Sequence, residues 1–389
     1  MIDRLIAFTT AAALVLAGCG GDDTQTSPAP PPVFTPPTQP SSTSNTAFGF
    51  VPFPFDRTAG SLQRVHDLTD AHADFTAVHL DLIGCVPWAE MLEGEKLPEW
   101  LADEFAAIKA RIPPAHFTYV STTPTAQNRI NVAPQCGATE GEPGPLPAAL
   151  KGAAFDNPQL VGAYLEYNRR VLEVFEPRYL VVGIEISELA LQAPAKWPAF
   201  ERLYTTVYQE LDQSHPDLSV GPEMVLQTLM GPIGTTVRPL VEQSDFLGIS
   251  FYPYASPIGE AMGAPALPDP PAQWQEPLDW LRDYTDTPIA IAETGYITRD
   301  VDLPTIGIRL QGDASRQRQF LTDLVAAARR DDYLFVVWFV PVDYTALVDK
   351  TGATGEALDL LRIWQYAGLL DAELQSKPAW PIWTAAAAK

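Results

Sequence analysis

Apolar residues along this chain follow two rhythms. Short runs rich in β-branched and aromatic residues occupy 48–53, 75–80, 117–122, 180–186, 218–222, 246–251, 288–292 and 334–340, and they read as strands. Between them apolar positions recur near every 3.6 residues, as in Trp100, Leu101, Phe105 and Ile108, in Leu160, Val161, Tyr164, Tyr167, Val171 and Val174, and in Phe320, Leu321, Leu324, Val325 and Ala328, which is helical spacing. Two of the strands, 179–186 and 333–340, are almost unbroken apolar runs, the pattern of a parallel sheet covered on both faces. Eight strands alternating with helices suit a closed barrel or an open doubly wound sheet. No early strand is followed by Gly-x-Gly-x-x-Gly or by a phosphate-cradling Gly-x-x-x-x-Gly-Lys, which weakens a nucleotide-binding reading.

Two carboxylates bear on the choice. A period of two puts Gly183, Glu185 and Ser187 on one face of the fourth strand, and Ile289, Ile291 and Glu293 on one face of the seventh, so both glutamates are expected to point inward at the C-terminal rim. A carboxylate ending an apolar strand is costly to desolvate, and the C-terminal rim is where barrel enzymes carry their chemistry. Glycoside hydrolysis needs such a pair: one carboxylic acid protonates the departing oxygen while an ionised one attacks the sugar carbon.

The constellation resembles the large clan of retaining barrel glycosidases, in which the acid/base glutamate follows strand four and the nucleophile follows strand seven. The resemblance implies a (β/α)₈ TIM barrel over about 46–389, with Glu185 as acid/base and Glu293 as nucleophile. It also implies that Tyr252, in Asp245-Phe-Leu-Gly-Ile-Ser-Phe-Tyr-Pro253, hydrogen-bonds the nucleophile and that Trp338 stacks on a sugar. The opening Gly49-Phe-Val-Pro-Phe-Pro-Phe-Asp56, the Val86-Pro87-Trp88 turn, and the tail Gly368-Leu-Leu-Asp371 with Lys377-Pro378-Ala379 are similar to family 53 galactanase-like relatives or to the closing segment of such domains. The chain departs from the clan where an asparagine usually precedes the acid/base: here that residue is Ile184. Ser187, Asp81 or Glu188 are the candidates to replace its sugar contact, and a barrel that binds glycans without cleaving them is the alternative reading. His79 and Asp81 on strand two read as hydroxyl-binding residues; with five histidines and no His-x-His or His-x-x-x-His, neither a metal nor another cofactor is expected. Trp88, Tyr252, Tyr254, Tyr296 and Trp338 are expected to line a saccharide cleft, and Glu223 to be a solvated loop charge.

Composition changes the picture at the N-terminus. Residues 1–18 hold a short apolar run ending in Leu16-Ala17-Gly18-Cys19, which resembles a bacterial lipoprotein signal, and Cys19 is expected to be lipidated. Seven of the 38 prolines fall in the 22 residues 24–45, so 19–45 reads as an extended tether that joins the domain to a membrane of the cell envelope. The net charge of −23 disfavours nucleic acid as a partner; an oligo- or polysaccharide substrate and a monomeric chain are expected. Cys85 and Cys136, the remaining pair in an exported chain, suggest one disulfide.

Overall fold

The computed structural model describes residues 46–267 and 274–387. The signal segment, Cys19 and the rest of the tether lie outside the described residues. Eight strand positions alternate with major helices in the order β1 (Ala47–Phe50), α1 (Ala59–His72), β2 (Phe75–His79), α2 (Glu99–Ala110), β3 (Phe117–Thr122), α3 (Pro158–Phe175), β4 (Tyr179–Val182), α4 (Trp197–Ser214), β5 (Ser219–Gly221 and Glu223–Val225), α5 (Ile233–Glu242), β6 (Leu247–Phe251), α6 (Gln275–Tyr284), β7 (Ile289–Thr294), α7 (Ala314–Arg330), β8 (Phe335–Trp338) and α8 (Trp380–Ala386).

All neighbouring strands of the main sheet run parallel. Pro222 supplies no amide hydrogen and divides β5: its first segment pairs with β4 and its second with β6, so the ring closes through one interrupted strand. The chain is thus a (β/α)₈ barrel. Helix starts follow local capping. The Asn157 side chain accepts the amides of Gln159 and Leu160 ahead of Pro158, and Asp313 accepts those of Ser315 and Arg316.

Alternate strand residues fill two layers. Phe48, Val78, Val120, Leu180, Ile249, Ile291, Val336 and Trp338 pack outward against the helices, whereas Phe75, Tyr119, Tyr179, Phe246 and Phe335 meet inside the barrel. The Phe335 ring lies 5.3 Å from Phe75, 4.9 Å from Tyr119, 5.0 Å from Tyr179 and 6.0 Å from Phe246 between centroids. This aromatic plug closes the barrel below the rim, so any site must open at the C-terminal ends of the strands.

Candidate active site

Above the plug the inward positions turn polar: His79 ends β2, Ser250 lies on β6, Tyr252 follows it, Glu223 begins the second segment of β5 and Glu293 lies near the end of β7. Neither Glu185 nor Glu293 reaches the interior by the simple alternation expected of its strand. In β4 the strand stops at Val182, and Gly183 adopts φ 103°. A Cβ there would come within 2.8 Å of Ile186 and 3.0 Å of Phe200, so the turn requires glycine. Ile184 returns to the inner cluster, and Glu185 itself is left-handed at φ 49°, a conformation costing about 1–2 kcal/mol in a non-glycine residue. Backbone bonds hold the turn: Gly183 N to Thr122 O at 2.8 Å, Glu223 N to Gly183 O at 3.0 Å and Ile186 N to Glu223 O at 3.0 Å.

The shared face expected for Glu185 and Ser187 is therefore corrected. Ser187 opens the short helix Ser187–Gln192, is buried, and its hydroxyl accepts the Val225 amide at 2.9 Å, a bond that ties two loops and leaves it away from the carboxylates. Glu188 is held by Thr228 and Gln192, with burial pushing its carboxyl up to about 7, so it is not the missing sugar ligand either.

In β7 a bulge does the work. Ile291 pairs with Ile249 and Glu293 with Ser250, leaving Ala292 as an extra residue. Ile289 and Ile291 face the helices while Ala290 and Ala292 face in, and the bulge re-aims Glu293 to the interior, where alternation alone would have sent it outward.

The two glutamates have different surroundings. One Glu293 oxygen accepts the Tyr252 hydroxyl in a short hydrogen bond, and His79 Nδ1 lies 3.5 Å from the other. Burial works against a charge on His79, yet the bond to Glu293 and its negative charge outweigh this and raise the imidazole above its ordinary value. Glu185 Oε1 accepts the Ser250 hydroxyl at 2.8 Å, while Oε2 accepts Arg129 Nε at 3.2 Å and lies 3.2 Å from Nη2. Nη2 also bonds Asp81 at 3.0 Å. Burial raises the Glu185 carboxyl; Arg129 opposes the shift, and the Glu293 charge adds to it. The Glu185 side chain is 25% exposed and that of Glu293 12%, so both reach the surface of the rim.

Other expected site residues divide. Asp81 is at the rim as the partner of Arg129, but His79, with its side chain 2% exposed, stands behind Glu293 and supports that carboxylate instead of meeting a sugar hydroxyl. Trp88 and Trp338 are fully buried among the outer packing: the Trp88 indole donates to Ala133 O at 2.8 Å and that of Trp338 to Ala367 O at 2.9 Å. Both strand faces of β8 are apolar, and Phe335 and Val337, not Trp338, take the interior, so neither tryptophan stacks on a sugar. Tyr254 donates to Ile363 O, and Tyr296 is packed beside Trp274 and Phe320. Glu223 is no solvated charge: it is completely buried.

The aromatic wall that the rim does possess comes from elsewhere. Phe339, next after Trp338, lies 5.8 Å from Trp364 and 5.8 Å from Phe53, and Trp364 is 5.9 Å from Tyr252. Trp364 is partly exposed and its indole N–H has no partner among the described residues. Arg129 was also missed. It tips a tight turn after β3 with φ 60°, in which Asn128 accepts the amides of Ile130 and Asn131, and the Gln127-Asn128-Arg129 sequence was its only signal. Ser250 was legible as the period-two neighbour of Tyr252. Cys85 and Cys136 are joined in a disulfide with Cα atoms 4.9 Å apart, clasping the loops after β2 and β3 that supply Asp81 and Arg129. A cavity of about 20 Å³, room for about one water, lies between those loops beside Asp81, Arg129, Thr123 and Tyr167.

No protein-family profile matches the chain, and neither does any curated protein sequence. Solved structures do match in fold. The Ignisphaera aggregans GH53 catalytic domain is 18% identical with a TM-score of 0.50, covering 83% of this chain and 87% of that one. The exo-beta-1,4-mannosidase Op5Man5 from Opitutaceae bacterium strain TAV5 is 14% identical with a TM-score of 0.60, covering 90% of this chain and 62% of its own. A calcium binding mutant of Bacteroides uniformis beta-glucuronidase 2 is 11% identical with a TM-score of 0.51; 89% of this chain matches 35% of that one. The barrel is therefore of the kind that glycoside hydrolases use.

Proposed function

We propose that this chain is a glycoside hydrolase that cleaves β-linked glycans with retention, Glu185 serving as acid/base and Glu293 as nucleophile. The observation that carries the reading is the pair itself. Two carboxyls from the ends of β4 and β7 stand in different surroundings, burial and the Glu293 charge favouring the protonated form of Glu185 while a tyrosine hydroxyl and an imidazole contact Glu293. The glycosidic oxygen takes the Glu185 proton as the Glu293 carboxylate bonds to the anomeric carbon and the C–O bond to the leaving group breaks. Glu185, now ionised, takes a proton from water, whose oxygen displaces Glu293 and restores both residues. Trp364, partly exposed and backed by the buried Phe339 ring, supplies the apolar face against which a pyranose stacks.

The mannosidase likeness makes β-1,4-mannosides the first substrates to try, followed by β-galactosides and the matching polysaccharides. Wild type is expected to turn over at least one member of such a panel, and Glu293→Gln to lose about a thousandfold or more of that rate. Equal rates for the two proteins would overturn the assignment. A second reading, glycan binding without cleavage, draws on Ile184 and on the Arg129 contact that opposes protonation of Glu185. It requires that wild type bind members of the panel and turn over none.

A further inference from the structure

We propose that Glu223 is a further acidic residue of this site, a positioning residue held in its neutral form beneath Glu185 and Glu293. Its side chain has no exposed surface. The Tyr119 hydroxyl donates to its Oε2 at 3.4 Å, and Oε1 is sealed from solvent with no partner among the described residues. A carboxylate has about four lone-pair sites to satisfy, so a single long bond leaves the ion almost wholly uncompensated.

The charged groups that face it settle which form is tolerable. Glu293 from β7, Glu185 from the turn after β4 and Asp81 from the loop after β2 are all acidic; Arg129 is the one cation among the groups acting directly on it, and Arg129 is already bonded to Asp81 and Glu185. Tyr119, from β3, is buried beside it and holds its own proton more tightly because of that burial and of Glu223. Burial first, then Glu293 and Glu185, raise the Glu223 carboxyl well above its ordinary range.

The neutral form gives the site a balanced account of charge. With Glu223 and Glu185 protonated, Asp81 is answered by Arg129 and Glu293 by His79. A third carboxylate would have no counter-charge and would raise the proton affinity of both catalytic groups. Protonated, Glu223 accepts from Tyr119 at Oε2 and leaves no bare negative charge at Oε1, the oxygen that lacks a partner. Its main chain serves the same end, since its amide and carbonyl brace the turn that presents Glu185.

The kinetic tests rest on the glycosidase reading; the spectroscopic one does not. Glu223→Gln keeps the shape and the neutral state and is expected to leave kcat within about threefold of wild type and both pH limits of kcat/KM in place. Were Glu223 an ion, its removal would instead shift the alkaline limit down by about one unit or more, and that shift overturns the proposal. Glu223→Leu leaves the site neutral but takes away the partner of the buried Tyr119 hydroxyl and is expected to lower kcat about three- to tenfold; an unchanged kcat overturns the positioning role. The infrared difference spectrum between wild type and Glu223→Gln at neutral pH is expected to show the carbonyl stretch of a protonated carboxylic acid, whether or not any glycan is cleaved. A carboxylate band in its place refutes the proposal even if the enzyme proves to be a glycosidase.

Discussion

Removing the cation from Glu185 should move the pH range in which the enzyme works. Arg129 touches Oε2 of Glu185 at 3.2 Å through two nitrogens and lowers the proton affinity that burial raises. Both side chains are largely shielded, 13% and 25% exposed, so solvent screening is modest. An adjacent guanidinium typically lowers a carboxyl by one to three units, and at this partly exposed position the lower part of that range applies, about 1 to 2 units or about 1.5 to 3 kcal/mol. Asp81, freed of its partner, adds its own repulsion in the same direction.

Arg129→Gln is therefore expected to carry the alkaline limit of kcat/KM upward by about 1 to 2 units, since Glu185 then keeps its proton to higher pH. Arg129→Lys, which retains the charge, should leave the limit within about half a unit of wild type. The assay is the pH dependence of kcat/KM on a substrate with a poor leaving group, for which proton donation limits the rate. A limit that stays in place or moves down in Arg129→Gln would refute the reasoning.

Other consequences follow from the same contacts. Tyr252→Phe deletes the hydroxyl that donates to Glu293 and should lower kcat by about ten- to a hundredfold, because a hydrogen bond to a charged group contributes about 1.5–3 kcal/mol; a loss under about threefold would exclude that role. His66 is buried, and desolvation followed by the Arg111 charge lowers its imidazole from 6.5 to about 4. The unfolded chain takes up this proton below about 6.5 and the folded chain resists it until about 4, so stability should fall through that window by about 3 kcal/mol. His66→Gln is expected to reduce the difference in Tm between pH 7 and pH 4.5, and an undiminished difference would count against it.

Much of this arrangement was legible in the residues. The eight strand positions follow from the apolar rhythms, the two glutamates from where a carboxylate interrupts an apolar run, and Tyr252 from the family resemblance. What alternation cannot see is a break in its own count. Ala292 is inserted as a bulge, and the left-handed turn at Gly183 and Glu185 abandons strand geometry altogether, so both glutamates point inward for reasons other than parity. Trp338 misled because both faces of β8 are apolar and either could have been the inner one. Arg129 arrives on a loop, through a turn whose shape depends on Asn128 and on pairing between Thr125 and Val132, and no period marks such a contact.

The clasp between Cys85 and Cys136 joins chain segments 51 residues apart, a closure worth about 4 kcal/mol in the chain-entropy view. Its place matters more than that sum. It fastens together the two loops that bring an acid and a base to the rim, while the barrel itself is built from strands it does not touch. A chain with both thiols still reduced would thus own a finished scaffold and an unfinished mouth, and oxidation becomes the last act of its maturation.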